Sequence, residues 1–217
     1  MKNVIMSDEY PGFCRELAGF GYHIIPTENV ERFHIPERRH ADMQVLMLLG
    51  RVFTLLDCNN EIGAEYPDNV RLNCLFFGGR LYGKLSAVDS SVLEFCRENA
   101  IECVNVNQGY TRCSTLVVHD HAAITADRSV ARALKEHGAE VLLIAPGHIR
   151  LTGFDYGFIG GASFRDADRV FFFGDITKHP DYTKIRAFCE HYHSNIEILG
   201  GEEPLTDIGG AVLISSD

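Results

Sequence analysis

The 217-residue chain lacks most of the features that would fix its class at a glance. It has no CxxC pair, and its seven cysteines are an odd number, which argues against a zinc ribbon and against a disulfide framework. Cys14, Cys58, Cys74, Cys96, Cys103, Cys113 and Cys189 are expected as free thiols in a reducing, cytoplasmic setting, most of them small buried hydrophobes. No apolar run approaches the roughly 18 residues of a membrane helix. The stretch from Met1 to Asp8 lacks the apolar core and small-residue cleavage site of a secretory signal. Positive charge is scarce: 20 Lys and Arg against 30 Asp and Glu leave a net charge of −10. That disfavours nucleic acid and anionic membrane as partners and mildly favours a cationic ligand. No G-x-G-x-x-G or Walker sequence occurs, so the common phosphate-cradling loops are missing. There is no low-complexity stretch and no linker, and residues 1–217 are read as a single domain.

What is present is a repeat. Five places share a turn-like approach, a small or polar residue and an apolar run of strand length, at intervals of about 30 to 50 residues. The first four are Arg39-His40-Ala41-Asp42, Val70-Arg71-Leu72-Asn73, Tyr110-Thr111-Arg112-Cys113 and Gly157-Phe158-Ile159-Gly160-Gly161. The fifth is Asp207-Ile208-Gly209-Gly210, followed by a strand over 211–215. After three anchors the order is two short strands, a helix and a third strand. The helices are expected near Ser90–Asn99, Arg128–His137 and from His179-Pro180-Asp181 onward. The unit after Asp42 is short and loses its helix in 57–63. The unit after Gly210 holds one strand; its missing parts are supplied by Lys2–Met6, a helix over Tyr10–Gly19 and a strand at Tyr22–Pro26. Splitting the last unit between the termini is how closed rings are fastened. The expected fold is therefore α/β, with about five ββαβ units around a pseudo-five-fold axis. An open doubly wound sheet also alternates strands and helices, but it places its glycines between strand and helix, whereas here they precede strands.

Equivalent positions of such a ring converge near its axis, so His40, Asp42, Asn73, Cys113 and Asp207 are expected to share one site. A thiol, an imidazole and carboxylates are what thiol-based nucleophilic catalysis requires. Cys113 is the candidate nucleophile, its thiol acidified by Arg112 or by protonated His40. His40 is the candidate acid and base, and Asp42 or Asp207 would orient it or hold a cationic substrate. His119-Asp120-His121 offers two imidazoles, but no third ligand is evident and no metal is expected.

The five units, the H-x-D at His40-Ala41-Asp42 and the strand start at Cys113-Ser114-Thr115 resemble the pentein superfamily of guanidino-modifying enzymes. These include arginine deiminases, dimethylarginine hydrolases, agmatine deiminases and amidinotransferases, and the chain as a whole looks most like an uncharacterised bacterial family of this fold. The resemblance implies a pentein-type α/β propeller. It also implies a Cys-dependent hydrolase or transferase acting on a guanidino or amidino carbon of a small cationic molecule, with no organic cofactor. Cys113, His40 and Asp42 would be catalytic; Asp207, Asn73, Arg112 and Asp155 would hold the substrate. Asp207-Ile208-Gly209-Gly210 looks like the family's E-G-G-D segment with Ile208 inserted, and Asp155 stands in for a second acid. The alternative is a non-catalytic binding module for a small molecule or a protein, because a fold alone does not decide function. Homo-oligomerisation is left open.

Overall fold

The computed structural model describes residues 2–214; Ser215, the last residue of the fifth expected strand, lies outside them. In chain order the elements are β1 (Lys2–Met6), α1 (Pro11–Gly19), β2 (Tyr22–Pro26), a short α2 (Ala41–Gln44), β3 (Val45–Leu48), β4 (Arg51–Thr54), β5 (Leu75–Phe77) and β6 (Arg80–Gly83). Then follow α3 (Ser90–Glu98), β7 (Glu102–Asn105), β8 (Thr115–His119), β9 (Ala122–Thr125), α4 (Arg128–Glu136) and β10 (Glu140–Leu143). The last are β11 (Ser163–Asp166), β12 (Arg169–Asp175), α5 (Tyr182–His191), β13 (Asn195–Pro204) and β14 (Val212–Ile214). No helix among the described residues is long and apolar enough to cross a membrane.

The strands form five separate sheets, ordered β14-β1-β2, β3-β4, β5-β6-β7, β8-β9-β10 and β11-β12-β13. Four sheets obey one rule: an antiparallel pair, a helix, then a strand parallel to the middle one. A helical crossover is what a parallel partner needs. The antiparallel pairs turn tightly where the sequence allows positive φ. Gly78 and Gly79, at φ 56° and 75°, join β5 to β6 in the conformation a two-residue hairpin requires. The second sheet stops at two strands, because 57–63 forms no helix. The first sheet is assembled from both ends of the chain: β1 lies between β14 and β2, with Asn3 opposite Ile214 and His23.

Helix starts follow local capping chemistry. Asp89 accepts from the Ser91 amide and Asp127 from those of Ser129 and Val130, satisfying donors that a first turn leaves free. The last helix begins later than its sequence suggests. Pro180 lies outside it and Asp181 occupies the N-cap position, with the Asp181 carboxylate accepting the Ala145 amide instead of one of its own helix. The short α2 is also unexpected, since a strand from Met43 is what the apolar run suggests.

The core lies between the sheets and their helices. Phe171, Phe172 and Phe173 are fully buried on β12. Alternation sends Phe172 toward Leu116, Ile124 and Ile185, while Phe171 and Phe173 face Val4, Phe13 and Phe164. The apolar run therefore serves two packing layers, as a strand buried on both faces must.

Candidate active site

The site forms where the chain enters the first strand of each sheet. His40 immediately precedes α2, and Asp42 is in its first turn. Asn73 and Cys113 stand just ahead of β5 and β8, and Asp207 precedes β14 by a short turn. All five side chains are buried, none more than 5% exposed.

Five strand starts are tied together through backbone, with the Gly210 amide donating to the Gly161 carbonyl at 2.7 Å. The Asp42 amide donates to the Gly209 carbonyl at 3.1 Å, the Thr111 amide to the Asn73 carbonyl at 3.2 Å, and the Gly161 amide to the Cys113 carbonyl at 2.9 Å. Gly160 allows this approach, since a Cβ there would stand 2.7 Å from the Cys113 carbonyl oxygen. At Gly161 a Cβ would collide with the Asp207 carboxylate, and at Gly209, where φ is +79°, with His40.

Two contacts define the chemistry. The Cys113 thiol donates to Asp42 Oδ2 at 2.7 Å. His40 Nδ1 lies 3.8 Å from Asp207 Oδ1. Asn73 clamps the cysteine: its Nδ2 donates to Sγ at 3.0 Å, while its Oδ1 accepts the amides of Arg112 and Cys113 at 3.0 and 3.2 Å. Asp207 is itself fixed by the amides of Phe158 and Gly209, at 2.8 and 3.0 Å.

The electrostatics follow from burial. Burial pushes the Asp42 carboxyl well above the usual carboxylate range, and Asp207 raises it further. Burial, then Asp42, pushes the Cys113 thiol up as well. Burial holds His40 below its ordinary value, against the pull of Asp207. The site at rest is thus a neutral thiol and a neutral imidazole among acids, rather than the acidified thiol expected from Arg112 or a charged His40.

Arg112 departs from its expected place. Its guanidinium donates to the carbonyls of Thr115 and Ala211, at 3.4 and 3.5 Å, and lines a different cavity, farther along the strands. Asp155 is exposed on its loop and takes no part in the contacts among the buried groups. A third buried acid of the cluster is Glu37, in the turn before His40. Burial raises its carboxyl, and the Tyr110 hydroxyl opposes that by hydrogen bonding. Tyr110 in turn accepts from Asn69 Nδ2 at 2.8 Å. Glu37, Asn69 and Tyr110 were not singled out from sequence. An acid after Pro36 reads as an ordinary turn, and only the position of Tyr110 beside Cys113 hints at a role.

Three buried oxygens of this cluster have no donor: Glu37 Oε2, Asp42 Oδ1 and Asn69 Oδ1. Buried acceptors are rarely left so. Tyr110, bonded to Asn69, is the middle of a row of rings, Tyr66, Tyr110 and Phe158, stacked at 5.9 Å spacings, with Lys84 4.6 Å from the Tyr66 ring centre.

A family model described as a family of unknown function, DUF6873, matches residues 47–212, more than half of the chain. The chain belongs to the DUF6873 family. The matched span contains Asn73, Cys113 and Asp207, while His40 and Asp42 precede it. No curated protein sequence matches this DUF6873 chain. Its backbone resembles solved dimethylarginine dimethylaminohydrolases, members of the pentein superfamily. A cysteine-to-serine mutant from Pseudomonas aeruginosa, complexed with citrulline, has a TM-score of 0.58 at 10% identity, covering 91% of each chain. A histidine-to-glycine variant as an adduct with S-methyl-L-thiocitrulline has a TM-score of 0.56 at 10% identity, covering 91% of this chain and 92% of that one. An adduct with 4-chloro-2-hydroxymethylpyridine has a TM-score of 0.55 at 9% identity, with the same coverage. The DUF6873 chain shares their α/β fold.

The two imidazoles of His119 and His121 meet at the β8–β9 turn, Nδ1 to Nδ1 at 3.0 Å. Among the described residues no group of three His, Cys, Asp or Glu side chains is arranged to hold a metal.

Proposed function

We propose that this protein is a cysteine-dependent hydrolase or transferase acting on a guanidino or amidino carbon of a small cationic substrate. The observation that carries the reading is the Cys113 thiol held 2.7 Å from a buried carboxylate, amid acceptors that lack donors. A planar cation with several N–H groups would supply those donors and offset the charge of Asp42, Asp207 and Glu37. Binding of that cation would also favour the thiolate, since opposite charge lowers a thiol pKa.

In this reading the bound cation favours ionised Asp42, the thiol proton passes to that carboxylate, and the thiolate attacks the guanidinium carbon, forming a C–S bond. The C–N bond to the leaving amine then breaks as Asp42 passes that proton to the leaving nitrogen. In hydrolysis, His40, neutral at rest, takes a proton from water as the oxygen attacks the same carbon. The C–S bond breaks, His40 returns its proton to the sulfur, and the ureido product leaves as its hydroxyl proton is lost to solvent. In transfer, an amine would replace the water. The closed ring of five units belongs to this reading, as does a single domain over 1–217; the five-sheet order supports both.

The test is turnover of a panel comprising arginine, methylated arginines, agmatine and simple amidines, followed as ureido product or released amine. Cys113→Ala is expected to abolish turnover with unfolding unchanged, and full turnover by that variant overturns the reading. A second reading, a non-catalytic binding module, is favoured by the complete burial of Cys113 and its raised pKa. Alkylation separates the two. A substrate-like amidine that speeds iodoacetamide labelling of Cys113 supports the enzyme, whereas one that binds and only protects the thiol supports the module.

A further inference from the structure

The strands that carry the buried site at their starts enclose a second space farther along. It has a volume of about 240 Å³, and one strand from each of the five sheets walls it: β3, β5, β8, β11 and β14. In every sheet this is the strand at one end of the order. The walls are apolar, with Met47, Phe76, Val117, Phe164 and Leu213 representing the five strands.

Two arginines line this space, and they differ. Arg165 is engaged, donating to Asp120 Oδ1 at 2.8 Å and to the Ala167 carbonyl, also at 2.8 Å. Arg112 is half-buried and holds only the two long contacts, at 3.4 and 3.5 Å, to carbonyl oxygens. Among the described residues no carboxylate stands within ion-pair distance of it. A guanidinium carries five N–H donors and is always charged, so a half-buried one in an apolar wall is left short of acceptors.

We infer that this cavity binds a small monocarboxylate with an apolar body, its carboxylate on the Arg112 guanidinium and its body against the five strands. The planar fork of Arg matches a carboxylate bidentately. A guanidinium with no ion-pair partner among the described residues balances one negative charge, and in a chain of net charge −10 a doubly charged phosphate would stay under-compensated. The apolar walls give a short hydrocarbon chain somewhere to go, which acetate or inorganic phosphate would leave unused. Occupancy would reach the buried site through a short path. The same Asn73 Oδ1 accepts both the Arg112 and the Cys113 amides, so a ligand drawing on Arg112 bears on the residue that positions the thiol.

The binding claim does not depend on the proposed catalytic function, and its test uses unfolding and direct binding rather than turnover. Thermal unfolding of the full chain is followed against octanoate, with octanol, octylamine, acetate and inorganic phosphate alongside. Octanoate is expected to raise the unfolding temperature saturably and the other four to do little. Arg112→Gln should weaken octanoate by about tenfold or more, as expected for loss of a charge-assisted bidentate contact. Should Arg112→Gln fold poorly, Val117→Glu, which places a like charge in the wall, is expected to lose binding in the same way. Saturation-transfer NMR on the wild-type chain should show contact along the octanoate chain. Equal stabilisation by octanol, equal stabilisation by phosphate, an octanoate effect that survives Arg112→Gln, or no octanoate binding by NMR would each overturn the assignment.

Discussion

Asp42 and Cys113 are hydrogen-bonded to each other, and burial keeps both from ionising freely. Below the ordinary aspartate value of about 3.9 both folded and unfolded Asp42 are protonated. Between that value and the raised folded one, the folded protein retains a proton that the unfolded chain has released. Stability from this group is therefore full at low pH and falls as pH rises through the folded value. Asp42→Asn should remove that slope and stabilise the protein by about 1 kcal/mol or more at mildly alkaline pH, while abolishing any thiol chemistry. Denaturant midpoints measured against pH for both proteins check this, and parallel curves count against it. At this scale much of the cluster was legible. His40, Asp42, Asn73, Cys113 and Asp207 were picked out by their equivalent places in a repeat, and they meet. Glu37 was not legible, because one turn of chain brings it back over His40 and no periodicity records that. Arg112 goes elsewhere because adjacency to Cys113 in sequence says nothing about direction: both lie in the turn over 111–114, and the Arg112 side chain leaves it toward the carbonyls of Thr115 and Ala211.

Among the elements, sequence chemistry carries further. The helix over Arg128–Glu136 could be read from apolar spacing, and its cap is the aspartate just before it. Asp127→Ala should cost about 1 kcal/mol, for a chain this size a loss of ~2–4 °C in melting temperature. Close approaches between elements are another matter. Gly161 has no positive φ and looks like half of an ordinary glycine pair, yet the Asp207 carboxylate fills the place of its missing Cβ. Gly161→Ala should destabilise by about 1–3 kcal/mol through overpacking. It should also disturb Asp207 and, with it, affinity for the proposed cationic substrate more than Asp127→Ala does. Comparing the two variants at matched stability separates packing from site geometry. The late start of α5 and the short α2 were illegible for a related reason. Asp181 serves the amide of Ala145, and α2 is held by the Gly209 carbonyl, both tertiary contacts that override local preference.

For the whole molecule, the five units read from sequence correspond to five sheets, down to the one that lacks its helix and the one shared between the chain ends. That correspondence was legible because each unit repeats the same order of turns and apolar runs. Deleting residues 1–6 is expected to abolish cooperative unfolding, since it removes the middle strand of a three-stranded sheet and Val4 and Met6 from the core. Circular dichroism and denaturant titration would detect this, and a truncated chain that still melts sharply would contradict it. The position of β1 also has a consequence in time. Its neighbour β14 leaves the ribosome roughly ten to forty seconds after it at ordinary synthesis rates. Throughout that interval the nascent β1 edge has Asn3, Val4 and Ile5 without their antiparallel partners. An open apolar edge is a template for the wrong strand. Yield in the cell should therefore depend on whatever shields this edge during translation, even though the finished fold buries Val4 and half-buries Asn3 and Ile5.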